Sequence, residues 1–390
     1  MSMKLSPLIT EVHFPPISEV KRWLAERPTD GRELIDLCQA IPDYPPSAAL
    51  TVHLTGLLDD PLMSRYSPDE GLTEVLDAVC SYYGRRYGAL LNSTEICMTI
   101  GASQAFWLAM VTLCRAGDEV VVQVPYYFDH QMGLDILGIR TVHAPFVEAD
   151  NGIPSPATIE KLITAKTRAI LVTTPSNPTG AVTPPDTIRE LFEIARRHGI
   201  ALILDETYHE FIPGGTRPHD LFGIPCWGDH FVHIASFGKT YALTGYRAGA
   251  LVASAAFIHH ALKAQDSMAV CQPRITQQAV RYGMVHLDGW VQENRDMMTR
   301  RHELFRDEFV KGGNKFHLAA SGSFFAWVRH PFAGASGRQV AKRLVDEYAL
   351  LTLPGEVFGP GLEGYLRLAF GNIREEAIPE AVAHFREALS

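Results

Sequence analysis

Ser236-Phe237-Gly238-Lys239-Thr240-Tyr241-Ala242-Leu243-Thr244-Gly245-Tyr246-Arg247-Ala248-Gly249 sets one lysine in a run of small residues and one arginine eight positions later. Directly before it, Phe231 to Ala235 is mostly apolar and β-branched or aromatic, the composition of a strand. A lysine that acts as a nucleophilic amine at neutral pH needs its ammonium form destabilised. Burial and a fixed neighbouring cation both do this. Arg247 can be that cation and can also grip a phosphate. The short pattern S-x-G-K fits a surface lysine equally well. Its extension through Arg247 and Gly249 carries the signal.

Working outward, similar runs recur through the middle of the chain: Glu95 to Ile100, Glu119 to Val124, Arg140 to Phe146, Arg168 to Thr173, Ala201 to Leu204 and Gly249 to Ala253. Most are continuously apolar, which predicts strands buried on both faces of a mostly parallel sheet. Helical patterns at Ser103 to Cys114, Pro156 to Ile163, Pro184 to His198 and Ser254 to Ala264 alternate with them. The alternation defines an α/β layer of seven strands. After about residue 270, long helical stretches (Ile275 to Phe309, Ser336 to Tyr348, Glu375 to Leu389) flank short strands at Phe324 to Val328 and Tyr365 to Phe370, a smaller α+β unit. The expected division is an N-terminal segment, 1–45, packing on the small domain, a large domain, 46–272, and a small domain, 273–390.

Several strands are followed at once by polar residues ill-suited to a core. In a parallel sheet the carboxyl ends share one edge, where ligands bind. Gly101-Ala102-Ser103-Gln104 opens a helix after the first strand, a place for an anion or simply an N-cap. Tyr127 in Pro125-Tyr126-Tyr127 offers a ring for stacking or for core packing. Pro175-Ser176-Asn177-Pro178-Thr179-Gly180 is a turn or a polar site loop. Asp205 closes an apolar strand, and a carboxylate there needs a partner, such as a protonated ring nitrogen. Tyr208 follows three residues on. Arg367, inside Tyr365-Leu366-Arg367-Leu368-Ala369-Phe370, needs an anion, and its planar fork suits a carboxylate.

Composition narrows the classes. The 390 residues are 46% hydrophobic and 20% charged, with a net charge of −9. An acidic chain without a basic patch is a poor nucleic-acid binder. The six cysteines form no C-x-x-C and no zinc spacing, and they read as buried thiols in a reducing, cytoplasmic compartment. No apolar run is long enough to span a membrane, and no apolar signal core follows Met1. No metal site is expected, and His259-His260 reads as a helix-surface pair.

From about Asp36 to the C-terminus the motifs together resemble those of class I/II aminotransferases, of fold type I. That resemblance implies pyridoxal 5′-phosphate (PLP) as cofactor and an exchange of amino groups between an L-amino acid and a 2-oxo acid by a ping-pong mechanism. It implies roles in turn. Lys239 holds the cofactor and moves the Cα proton. Asp205 pairs with the ring nitrogen, and Tyr127 stacks on the ring. Asn177 and Tyr208 serve the phenolic oxygen. Gly101, Ala102, Ser103, Gln104, Ser236 and Arg247 surround the phosphate. Arg367, Asn177 and Ala40 meet the substrate. Arg65-Tyr66-Ser67-Pro68-Asp69-Glu70-Gly71-Leu72 is similar to the segment whose tyrosine, here Tyr66, reaches the cofactor phosphate of a neighbouring subunit, which implies a homodimer with shared sites. Ala40 departs from the glycine of many relatives. Asp266 or Ser267 stands where dicarboxylate-specific relatives carry an arginine that comes from the partner subunit, which disfavours aspartate and glutamate as preferred donors and allows a neutral, aromatic or cationic side chain. A C–S β-lyase or an amino-acid oxidase or hydroxylase shares these motifs. A PLP-binding regulatory module would need an added domain and a basic surface, whereas this sequence has about the length of the catalytic unit and is acidic.

Overall fold

A computed structural model describes residues 3–28, 31–311 and 313–389. Its large sheet contains β1 (Ile96–Ile100), β2 (Glu119–Gln123), β3 (Arg140–Ala144), β4 (Thr167–Thr173), β5 (Ala201–Asp205), β6 (Phe231–Ser236) and β7 (Ala248–Val252), in the order β1-β7-β6-β5-β4-β2-β3. Only β7 runs against the others. The seven expected strands all form, with ends shifted by a residue or two.

Their continuous apolar character has a direct cause. Along β5, Leu202 and Leu204 belong to the core on one face of the sheet, while Ala201 and Ile203 belong to the core on the other. Both faces are covered by helices, so no solvent-facing alternation is needed. A third core lies beneath an antiparallel sheet of β8 (His317–Gly322), β9 (Phe325–Arg329), β10 (Leu353–Pro354) and β11 (Tyr365–Leu368), in the order β10-β11-β9-β8. The N-terminal helix α1 (Pro16–Glu26) contributes Val20 and Trp23 to that third core.

Some elements differ from expectation. The stretch Ile275 to Phe309 is two helices, Arg274–His286 and α5 (Asp288–Val310). They are separated at Leu287, whose backbone (φ −115, ψ 18) leaves the helical region while its side chain is buried. Strand β8 and the helices α1 and α4 (Phe128–Ile136) are additional. Of the cysteines, Cys38, Cys97 and Cys271 are buried, Cys80 and Cys114 are half-buried, and Cys226 is exposed rather than buried. Among the described residues no helix is long and apolar enough to cross a membrane.

Candidate active site

The parallel strands end along one edge, and one cavity there gathers Ala40, Ala102, Ser103, Tyr127, Asn177, Asp205, Tyr208, Ser236, Lys239, Arg247 and Arg367. Lys239 follows β6 in a four-residue helical turn, Phe237–Thr240. Its Nζ donates to the Ala40 carbonyl. Burial is the main force lowering its pKa, and the guanidinium charges of Arg367 and then Arg247 push the same way, to about 7. A large fraction is therefore free amine at neutral pH, able to act as nucleophile or base. Arg247 had been the expected cation, yet Arg367 is the stronger one.

Arg367 is buried on β11, opposite Trp327 of β9. Its Nη1 donates to Asn177 Oδ1 at 3.0 Å and its Nη2 to the Cys38 carbonyl. Phe325 and Phe358 lie 5.2 Å and 5.3 Å from its guanidinium carbon. Its buried Nε has no partner among the described residues. Two neutral oxygens and two aromatic rings do not neutralise a buried cation, so this site is built for an anion. Because Asn177 Oδ1 accepts from Arg367, the Asn177 amide hydrogens are left to donate elsewhere. Gly180 ends that loop at φ +75, and a side-chain carbon there would lie 2.3 Å from the Gly322 carbonyl oxygen. The glycine lets the loop seat against β8.

Asp205 ends β5 with its carboxylate buried. His130 Nε2 stands 3.1 Å from Oδ2, and the Thr207 backbone N–H and Oγ1 donate to Oδ1 at 3.0 Å and 2.7 Å. Burial raises its pKa, but the hydrogen bond and charge of His130 and the Thr207 donors outweigh it and hold the carboxyl below its ordinary value. Tyr208 packs edge-on against Phe325, and burial pushes its phenol pKa up, so it remains a neutral donor. The Tyr127 hydroxyl donates to Asp129 Oδ2 at 2.6 Å, which fixes the ring at the cavity wall.

The corner of the cavity beside Arg247 is formed by close backbone approach. Gly101 (φ +74) opens helix α3 (Gly101–Leu113), and a side-chain carbon there would lie 2.7 Å from Arg247 Nη2. One on Gly249 would lie 2.5 Å from the Gly101 carbonyl carbon. The two glycines bring β7, Arg247 and the free N–H groups at the start of α3 together. Arg247 itself holds a left-handed backbone (φ +56), a conformation that costs a non-glycine residue energy and that recurs at functional positions.

Gly101, Gln104 and Tyr66 do not line the cavity. Gln104 Oε1 accepts from the Ile100 N–H at 2.7 Å and braces the turn between β1 and α3. Tyr66 is 76% exposed, and its carbonyl accepts from Arg274. The sequence reading missed His130 and Thr207. The need for partners at Asp205 was visible, but among sixteen histidines nothing singled out the one on α4.

Glu206, His219 and His233 form a fully buried cluster of metal-ligating residue types. The tautomer argues against a metal there. His219 Nδ1 accepts from the Leu221 N–H at 3.2 Å, so the ring proton sits on Nε2, 3.3 Å from Glu206 Oε2. His233 Nε2 at 2.7 Å and the Tyr87 hydroxyl at 2.8 Å are hydrogen-bonded to the same oxygen, while His219 Nε2 and Glu206 Oε1 have no hydrogen-bond partner among the described residues. This is a hydrogen-bonded carboxylate in the core.

The fold and the lysine–aspartate–arginine cavity define a transaminase-type enzyme. A solved Thermus thermophilus aspartate aminotransferase single mutant superposes with TM-score 0.91 at 23% identity, over 99% of this chain and 100% of that one. The family model for aminotransferase class I and II matches residues 32–385, and the chain belongs to that PLP-dependent family. It is 29% identical to the aromatic aminotransferase ISS1 of Arabidopsis thaliana, over 96% of this chain and 94% of the relative. It is 26% identical to an aromatic-amino-acid aminotransferase of Thermococcus litoralis, over 93% and 96%. The protein is an aminotransferase, and the lyase and oxidase alternatives are not favoured.

Proposed function

We propose that this cavity binds PLP and moves an amino group from an L-amino acid to a 2-oxo acid by a ping-pong mechanism. The observation that carries the reading is the pairing of a buried lysine with a pKa of about 7 and a buried arginine with an unpartnered Nε in one cavity.

The residues fit the cofactor. Ala102, Ser103, Ser236 and Arg247 would hold its phosphate, with Gly101 and Gln104 shaping that corner. Asp205 would hold the proton of the ring nitrogen, with His130 and Thr207 fixing its carboxylate. Tyr208 and the Asn177 amide would donate to the phenolic oxygen, with Tyr127 against the ring. When bound, the cofactor supplies an aldehyde that takes up the amino group and a ring that withdraws electrons from the neighbouring carbon. Lys239 Nζ would move the substrate's Cα proton, and its low pKa makes it a base at neutral pH. Arg367 would orient the α-carboxylate.

Tyr66 is exposed and does not line the cavity of its own chain. That placement supports a homodimer in which Tyr66 completes the partner's phosphate site. We also assign residues 1–45, 46–272 and 273–390 to the N-terminal segment, large domain and small domain. The free thiols fit a reducing cytoplasm.

The test is chemical. Protein incubated with PLP, reduced with borohydride and digested should carry the adduct on the peptide with Lys239. Lys239→Ala should lose turnover while still binding PLP reversibly, and full activity in that variant would overturn the assignment.

A further inference from the structure

We infer that Glu206 and Glu210, which do not line the cavity, are positioning residues for the reaction: through a buried polar clamp they hold the loop that aims Asp205 and Tyr208 at the cofactor ring. The inference rests on the aminotransferase reading of the same cavity.

Residues 205–210 divide into two sets. Asp205, Thr207 and Tyr208 line the cavity. Glu206, His209 and Glu210 do not, and all three are buried all the same. Beyond the Tyr87 and His233 bonds to Glu206, the Tyr83 hydroxyl stands 2.8 Å from His233 Nδ1. His233 gives its Nε2 proton to the carboxylate, so Nδ1 accepts and the Tyr83 hydroxyl donates. Glu210 Oε1 accepts from the Tyr82 hydroxyl at 2.5 Å and lies 3.7 Å from Arg86 Nε, while Oε2 accepts from Arg295.

The same side chains also hold the backbone. Arg86 Nη2 donates to the His209 carbonyl and Arg295 Nε to the Glu210 carbonyl, each at 2.6 Å. His209 Nδ1 donates to the Glu206 carbonyl at 2.6 Å. Tyr82, Tyr83, Arg86 and Tyr87 lie on helix α2 (Thr73–Tyr87), and Arg295 lies on α5. Tyr208 therefore sits between two residues whose side chains and carbonyls are both tied down.

Burying two carboxylates and two guanidiniums is costly, and apolar residues of similar volume would serve stability about as well. Directional bonds add position instead. A displacement of about 1 Å in a group that meets the reacting system costs on the order of 100-fold in rate. Helix α5 extends the same frame to the substrate segment. About 9 Å along its axis from Arg295, Arg301 grips Asp43 with bonds of 2.6 Å and 3.0 Å. One helix thus spaces the ring loop from the segment whose Ala40 carbonyl accepts from Lys239.

The experiment uses the PLP-loaded protein and the variants Tyr82→Phe and Tyr87→Phe. Each removes one hydroxyl and keeps its ring, which for Tyr87 is stacked 5.1 Å from Tyr83. Val382→Ala, a truncation in the small-sheet core, controls for lost stability. A weaker hydrogen bond to the phenolic oxygen and a weaker hold on the ring-nitrogen proton both disfavour loss of a proton from the bound cofactor. The visible band should therefore titrate at a pH about 0.5 to 1 unit higher in both tyrosine variants. Their kcat should fall about 10-fold, with KM changed less than about 2-fold. The control should lose Tm and keep the native band and kcat. Tyrosine variants that behave like the control would overturn the inference, and if one fails to fold the other decides. If the native protein turns over no amino acid, the transaminase reading fails on that result alone. Amide exchange of residues 205–210 then decides the clamp: faster exchange in the variants supports it, and unchanged exchange sinks it.

Discussion

His130 Nε2 and Asp205 Oδ2 lie 3.1 Å apart in a buried pocket, one on the helix after β2 and the other at the end of β5. The imidazole lets an aspartate stay ionised where burial alone would neutralise it. Asp205→Asn should lower kcat/KM at least 100-fold while cofactor attachment at Lys239 persists. His130→Leu should lower it about 10-fold, with the activity profile shifted to higher pH. The sign follows from linkage. The folded carboxyl pKa is held below its unfolded value, so its stabilisation is present above the unfolded pKa and fades as pH falls through the folded one. Without the imidazole that loss begins at higher pH. Steady-state kinetics from pH 5 to pH 9 provide the check.

Lys239 works in the opposite direction. Its pKa falls from 10.5 to about 7 on folding, so the folded state resists the proton that the unfolded chain keeps. The cost is fully present below pH 7 and is relieved as pH rises from 7 to 10.5. In cofactor-free protein, Lys239→Met should stabilise by a few kcal/mol at pH 6. The gain should shrink steadily through pH 8 and 9. Urea unfolding at several pH values reads this out, and a gain independent of pH would contradict it. The rate of cofactor attachment in the native protein should rise through pH 7.

Arg301 reaches across from α5 to Asp43, with both side chains largely buried. Arg301→Met leaves the Asp43 carboxylate without its partner and should cost about 3 kcal/mol. It also frees one end of the segment that carries Ala40 and Ile41. KM for the amino acid should rise about 10-fold with kcat changed far less. Asp43→Asn combined with Arg301→Met should be less damaging than the sum of the two.

At Gly249 there is no space to give. A methyl group there meets the Gly101 carbonyl carbon at 2.5 Å, a contact with backbone rather than with a pliable side chain. Gly249→Ala should weaken PLP binding by 10-fold or more and lower the Tm, because the start of α3 must retreat from Arg247. Equilibrium titration with PLP and calorimetry report the two effects separately.

The large sheet was legible because its strands are buried on both sides, which leaves continuous apolar runs such as Ala201 to Leu204. The residues at its edge were legible because Asp205, Asn177 and Lys239 are costly in a core. Helix α4 was not, and His130 went with it. Gly133 sits inside that helix and reads as a breaker in sequence. In three dimensions it allows contact with Phe106, whose ring would lie 2.7 Å from an added side-chain carbon. Helix α1 was likewise hidden as an element, because it starts in a Pro-rich stretch, although residues 1–45 were expected to pack on the small domain. Local pattern records burial well, but it does not record which distant element arrives to do the burying.

The reversed strand β7 has a consequence for biosynthesis. Among the described residues the one strand that pairs with β1 is β7, whose residues follow it by roughly 150 positions. As the polypeptide leaves the ribosome, the edge of Ile96–Ile100 that faces β7 must wait bare until Ala248–Val252 has emerged, and the start of α3 waits with it. Arrested chains that stop short of Ala248 should therefore be cut by protease near residue 96, and chains extended past the exit tunnel beyond Val252 should resist.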